Sequence, residues 1–458
     1  MVVRAWWVFL FFSGCVTLPR YECELHGGSP SVRVESEHFS VVSDLKPDEV
    51  KLEIRRLERL WDAFAVYFQT TPTATARLPV LMTREVTAGE FVPSSAGFVI
   101  GELEPIMVTS RNRAYAAHEL VHVLASHWLP SQPRWMNEGI AEYLGDATFL
   151  DEYTIRFGRW RWDGGRVDAL DTLWGWRGLS AGDDENHTRY QSAWAWMHYL
   201  SNKEEARLRQ LYVELAQGRP ARETFDGIFP IAEQDALRAR VQAYVDAGRF
   251  SGWESKLRRD PEVSEPRPVA PWDVHLLRRR LLEITGWRDR YQEETTIAER
   301  VAPRPLPEAV LMARAMDDGV GPQQLDRLMA ISSTPGFELR LERAMATDVS
   351  IFDRATQLEK LVQERPEHVR ARFEFASALL WLERPEALEQ ARLTVALAPW
   401  SPRTRFLQIS ALVQARRCAD ALQSFTSALG LLTEARKAEA KRFDRLRKQL
   451  ETCVEAPR

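Results

Sequence analysis

Long apolar runs are scarce in this chain of 458 residues. The most apolar stretch near its start, AWWVFLFF, holds eight residues, against the roughly 20 that a membrane-crossing helix needs. Runs of lysine and arginine interleaved with aromatics are absent and the formal net charge is only −4, which argues against nucleic acid as a partner. Cysteine and histidine are sparse too, at four and nine residues, so a motif built from either stands out. A hydrophobic share of 45% with 28% charged residues excludes a disordered or membrane-spanning chain and describes a soluble globular one. At this length one core is not enough, and two or three domains are expected.

The first residues stand apart. Arg4, the short apolar run and then Ser-Gly-Cys follow the pattern of a secretory signal. The stretch FSGC resembles the lipobox of bacterial lipoproteins, with Phe12 where leucine is usual. That resemblance implies export to the bacterial cell envelope or periplasm and a membrane anchor through lipid on Cys15. Cys23 falls in the tether, which leaves Cys418 and Cys453 free to pair in an oxidising compartment.

Periodicity sketches the rest. SVRVESEHFSVVS alternates like one or two strands, LPVLMT reads as a short buried strand, and AGFVIGELEPIMVTS as a hairpin. Between them, Leu52, Ile54, Leu57, Leu60, Trp61, Phe64 and Phe68 are expected on one face of a helix. A small sheet with a helix on it therefore precedes residue 114, and helices follow from about Tyr190 to Phe250. The stretch RRDPEVSEPRPVAPW holds four prolines among charges and reads as a linker. Beyond it, segments starting at Pro366 and Pro399 align with one added residue, bringing Phe373 to Phe406, Ala378 to Ala411 and Ala387 to Ala421. This period resembles tetratricopeptide repeats, with a plain stack of helical hairpins as the alternative.

The stretch HELVHVLASHWLPSQPRWMNEGIAEY, residues 118–143, carries the chemistry. His118 and His122 are four positions apart on a helix predicted over about residues 114–127, so their rings share one face at about 3.6 residues per turn. Two imidazoles and one carboxylate suit zinc and leave the open position of a catalytic site. Glu119 stands beside the metal instead of on it, the H-E-x-x-H arrangement in which the glutamate is a general base. Pro130 and Pro133 break the chain, and a second helix restarting near Met136 carries Glu138 back across the histidines. Glu142 lies one turn further on the same face, placed to hold the second ring nitrogen of His118.

HELVH followed by WMNEGIAEY resembles the gluzincin metallopeptidases, most closely the peptidase MA-like group. The likeness covers about residues 31–250, and strong motif identity is confined to 118–143. It implies an α+β zincin-like domain (a small mixed sheet plus helices), followed by an all-α helical-repeat domain. It also implies one Zn2+ per chain held by His118, His122 and Glu138, and peptide hydrolysis through a zinc-bound water with Glu119 as general base. Relatives use a tyrosine or histidine downstream to stabilise the oxyanion; here Tyr190 is the candidate and His187 the second. The G-x-M-E-N strand of the aminopeptidases is missing from GFVIGELEPIMV, so amino-terminal specificity is not implied. An edge strand there can still pair with an extended peptide.

The expected organisation is a signal peptide and lipid tether over 1–23, a metallopeptidase domain over 24–257, a linker over 258–272 and a helical-repeat domain over 273–458. The leading functional expectation is an exported, membrane-tethered zinc peptidase acting on peptide or protein, whose repeats bind a protein partner. The alternative is a helical-repeat scaffold or assembly lipoprotein with a non-catalytic peptidase-like domain. A third is hydrolysis of a cell-wall amide. The tryptophans around the motif are expected to pack, not to wall a groove.

Overall fold

The computed structural model describes residue 24 and residues 28–69, 77–84, 91, 97–101, 103–110, 113–130, 132–159, 162–176, 183–248, 250, 252–257, 260–432 and 437–455. Cys15 and Cys23 lie outside them. Among the described residues no helix is long and apolar enough to cross a membrane.

The strands are β1 (Ser31–Glu35), β2 (Phe39–Ser43), β3 (Leu78–Thr83), β4 (Gly97–Ile100), β5 (Ile106–Ser110), β6 (Thr148–Phe149), β7 (Thr154–Phe157), β8 (Trp253–Lys256) and β9 (Arg267–Val269). Six of them form one mixed sheet in the order β4-β5-β3-β2-β1-β9, and β6-β7-β8 form a second. In the larger sheet β2, β3 and β5 run parallel, while β4, β1 and β9 pair antiparallel with their neighbours. β4 is therefore an edge strand joined as a hairpin to β5, and β5 leads towards the first motif helix.

Helix α1 (Pro47–Phe68) covers one face of the large sheet, with Val50, Ile54, Leu57, Trp61 and Phe64 buried against Val34, Val41, Val80 and Met107. Leu52, expected on that face, is 53% exposed. Two positions after Val50, about 200° around the helix, it points the other way, and Val50 takes the inward place.

Helices α2 (Arg113–Trp128), α3 (Arg134–Gly145), α4 (Leu170–Trp174), α5 (Asp183–Lys203), α6 (Glu205–Ala216), α7 (Ala221–Ile228) and α8 (Ile231–Ala247) complete this part. Trp135, Trp176, Trp194 and Trp196 are among its largest fully buried side chains, so these rings do pack as core.

The stretch 258–272, expected to be a linker, is not a plain tether. Residues Arg267–Val269 are β9, paired with β1 so that Pro268 faces Val32 at the sheet edge, where a missing N–H is tolerated. Helix α9 (Pro271–Thr285) then packs Val274, Leu281 and Leu282 onto the second sheet face, against Val42, Leu81, Phe98, Ile106 and Val108. The sheet is covered on both faces. That explains why LPVLMT is apolar at consecutive positions instead of alternating.

The remaining helices are α10 (Arg288–Val301), α11 (Glu308–Asp317), α12 (Pro322–Ile331), α13 (Phe337–Met345), α14 (Ile351–Glu364), α15 (Val369–Trp381), α16 (Ala387–Leu397), α17 (Pro402–Gln414), α18 (Cys418–Leu432) and α19 (Lys437–Glu455). The aligned segments form two successive helical hairpins, α15–α16 and α17–α18. Of the matched residues, Ala378, Ala387, Phe406, Ala411 and Ala421 are buried. A disulfide joins Cys418 to Cys453, Cα atoms 5.7 Å apart, and ties α18 to α19. This part also touches the β4–β5 hairpin: Arg280 donates to Glu104 in its turn at 2.5 Å, with His368 at 3.4 Å from the same side chain.

Candidate metal centre

Helix α2 starts just after β5, and the i, i+4 spacing sets the His118 and His122 rings on one face with Nε2 atoms 3.0 Å apart. After Leu129–Pro133, α3 packs on α2. Glu138 Oε2 comes to 3.6 Å from His118 Nε2 and 3.3 Å from His122 Nε2. Two glycines in α3 permit this approach. A Cβ on Gly139 would meet the Ala193 carbonyl oxygen of α5 at 2.5 Å, and one on Gly145 would sit 3.0 Å from the His118 Cα. Helix α3 is thus pressed between α2 and α5, with Glu138 fixed next to Gly139.

The outer ring nitrogens are also held. His122 Nδ1 is 3.0 Å from Asn137 Oδ1, an oxygen that also accepts from Gln132 Nε2 at 3.2 Å. An amide oxygen only accepts, so His122 donates to it from Nδ1 and its Nε2 faces inward. His118 Nδ1 lies 3.4 Å from Glu142 Oε1, the side chain expected to orient it. The inner nitrogens of both rings and a Glu138 oxygen thus face one another, a grouping that a metal ion or a shared proton could occupy.

The ligand atoms of His118, His122 and Glu138 all lie within 4.8 Å of one another, and the donor set of two imidazoles and one carboxylate fits zinc. A proton is the other cation available. Burial opposes charge on the His122 ring, but the charge and hydrogen bond of Glu138, with Glu119, outweigh it and lift its pKa to about 9. Burial likewise opposes charge on Glu138, and the two imidazoles overcome it and hold the carboxyl far below the usual range. Glu119, 8% exposed, is pushed the other way by burial despite the pull of both imidazoles.

Tyr190 on α5 packs edge-on against Trp176, ring centroids 4.9 Å apart. Its hydroxyl is pushed up to about 12, by burial first and then by the charges of Glu138 and Glu142, against the pull of Arg134. Tyr190 thus shares the electrostatic surroundings of the cluster. His187, the second candidate, is 63% exposed at its side chain and engages Asp163 at 2.9 Å instead. Compared with protein-family models, with curated proteins and with solved structures, the chain matches none.

Sequence reasoning did not single out Asn137, Gln132 or Arg134, although each lies inside the quoted motif. Arg134 stands four positions before Glu138, so a shared helix face was there to be read. It lies 3.4 Å from Glu138 Oε1.

Below the site, α5 carries a fully buried histidine. His198 Nε2 donates to the Gly158 carbonyl at 3.0 Å, while Nδ1 accepts from the Tyr244 hydroxyl at 3.0 Å. Burial pulls its pKa down to about 4 and keeps the ring neutral. A depressed histidine contributes its full stability above the unfolded value of 6.5 and loses it as pH falls towards 4. Unfolding free energy is therefore expected to drop by about 2 kcal/mol between pH 7 and pH 5 from this group alone. Urea titrations at the two pH values check this, and His198→Asn should remove that part of the slope.

Proposed function

We propose that the chain is a zinc-dependent peptidase of the gluzincin type, exported and anchored by lipid on Cys15, with a helical array that engages a protein partner. The observation that carries this reading is the convergence of His118, His122 and Glu138 with a buried Glu119 beside them. Held by those three side chains, zinc supplies Lewis acidity towards a peptide carbonyl and a nucleophile at neutral pH.

The residues of the chain do the rest. Glu119 removes a proton from the attacking water as its oxygen joins the acyl carbon to give the oxyanion, and delivers that proton to the amine as the oxyanion collapses and the C–N bond breaks. Tyr190 donates a hydrogen bond to the oxyanion. Asn137 and Glu142 hold the two rings in place. The edge of β4, unpaired with another strand among the described residues, offers backbone groups to an extended peptide. The Cys418–Cys453 disulfide suits an oxidising compartment outside the cytoplasm.

The zinc-loaded protein is expected to digest casein or a mixed peptide library, to stop when treated with 1,10-phenanthroline and to resume when zinc is restored. Stoichiometric zinc without any cleavage would favour the scaffold reading instead.

A further inference from the structure

Arg134 opens α3 one turn before Glu138 and touches two parts of the site. Its guanidinium lies 3.4 Å from Glu138 Oε1, whereas Oε2 of the same carboxylate faces the histidines. Its Cζ sits over the Trp176 ring, 5.0 Å from the centroid, and Trp176 in turn meets Tyr190 edge-on. Trp176 thus links the guanidinium to Tyr190, and the positive charge of Arg134 pulls on the Tyr190 hydroxyl.

A guanidinium offers five N–H donors and no acceptor. Any hydrogen bond between the two must therefore run from the guanidinium to the Tyr190 oxygen, which leaves the tyrosine O–H for another acceptor. A neutral partner such as an amide or hydroxyl could take that proton; arginine cannot. A planar head with several donors can serve two partners at once, which a lysine ammonium on a flexible stem does not.

We propose that Arg134 is a positioning residue with two tasks: it holds Glu138 so that one oxygen faces the histidines, and it keeps the Tyr190 proton free for the oxyanion. This rests on the peptidase reading above.

Acetohydroxamate, a small oxyanion that chelates zinc, is the probe. It would be titrated into the zinc-loaded parent, Arg134→Met, Tyr190→Phe and the double variant, with zinc content and circular dichroism measured on each. Loss of a hydrogen bond to a charged group predicts about tenfold to a hundredfold weaker binding for each single variant. The double variant should lose little more, because both changes remove the same donor. Casein turnover should show a lowered kcat with KM nearly constant. Arg134→Lys is the second variant should Met disturb folding, and it too should bind the probe more weakly.

Parent-like binding by Arg134→Met or Arg134→Lys, with Tyr190→Phe weakened, would overturn the role of Arg134 alone. Losses that simply add in the double variant would overturn it as well. A parent that takes up no zinc would instead bring down the peptidase reading, and this inference with it.

Discussion

Glu119→Gln is expected to leave about one zinc per chain and to slow peptide cleavage by roughly a hundred- to ten-thousand-fold, the range attributed to a positioned general acid–base. The substitution is nearly isosteric and removes the carboxylate that takes the proton. Glu119 is buried beside His118 and His122 without being one of the three converging side chains, so metal should stay while chemistry goes. Zinc by atomic absorption and casein turnover on the same preparation check the pair of outcomes. Cleavage at the parent rate would remove Glu119 from the mechanism. Loss of zinc would make it a ligand instead of a base.

Glu138→Ala is expected to do the opposite, losing the metal first. Its Oε2 lies 3.6 Å from His118 Nε2 and 3.3 Å from His122 Nε2, facing both inner ring nitrogens at once. Removing a group that merely orients a ligand costs about tenfold to a hundredfold in metal affinity. Removing one of three ligands should cost more than a hundredfold, read by competition with a chromogenic chelator. Glu142→Ala, which withdraws only the carboxylate 3.4 Å from His118 Nδ1, should fall within the milder range. If the two variants were to lose affinity equally, the division between ligand and orienting group would be wrong.

Much of the site was legible because it is local. The i, i+4 histidines, the proline break and the returning Glu138 all lie within residues 118–143, and helix periodicity with one short loop is enough to bring them together. The same holds for Glu142, one turn beyond Glu138. Long-range packing was not legible. Nothing near Gly139 announces that a Cβ there would strike the Ala193 carbonyl, because the obstacle belongs to α5. The Arg134–Glu138 pair lies within one helix face, but Trp176 and, behind it, Tyr190 are brought to Arg134 by tertiary structure.

The two sheet faces show the same limit. The hairpin of β4 and β5 is legible in AGFVIGELEPIMVTS, whereas alternation over residues 31–43 leaves one strand or two open, and the structure forms two, β1 and β2. The stretch 258–272 was read as a linker because prolines and charges dominate it. Pairing with β1 and the cover given by α9 depend on the sheet having an open edge and an apolar second face. The unbroken apolar run in β3 was the signal that something must cover that face, though not which helix.

The claim on which the rest depends is that these side chains hold a metal ion at one point. Diffraction from crystals of the zinc-loaded protein, measured on both sides of the zinc absorption edge, tests it directly. The account predicts a single strong anomalous peak bounded by His118 Nε2, His122 Nε2 and a Glu138 oxygen. No peak there, or one bound elsewhere while these three side chains contact only each other, would contradict it.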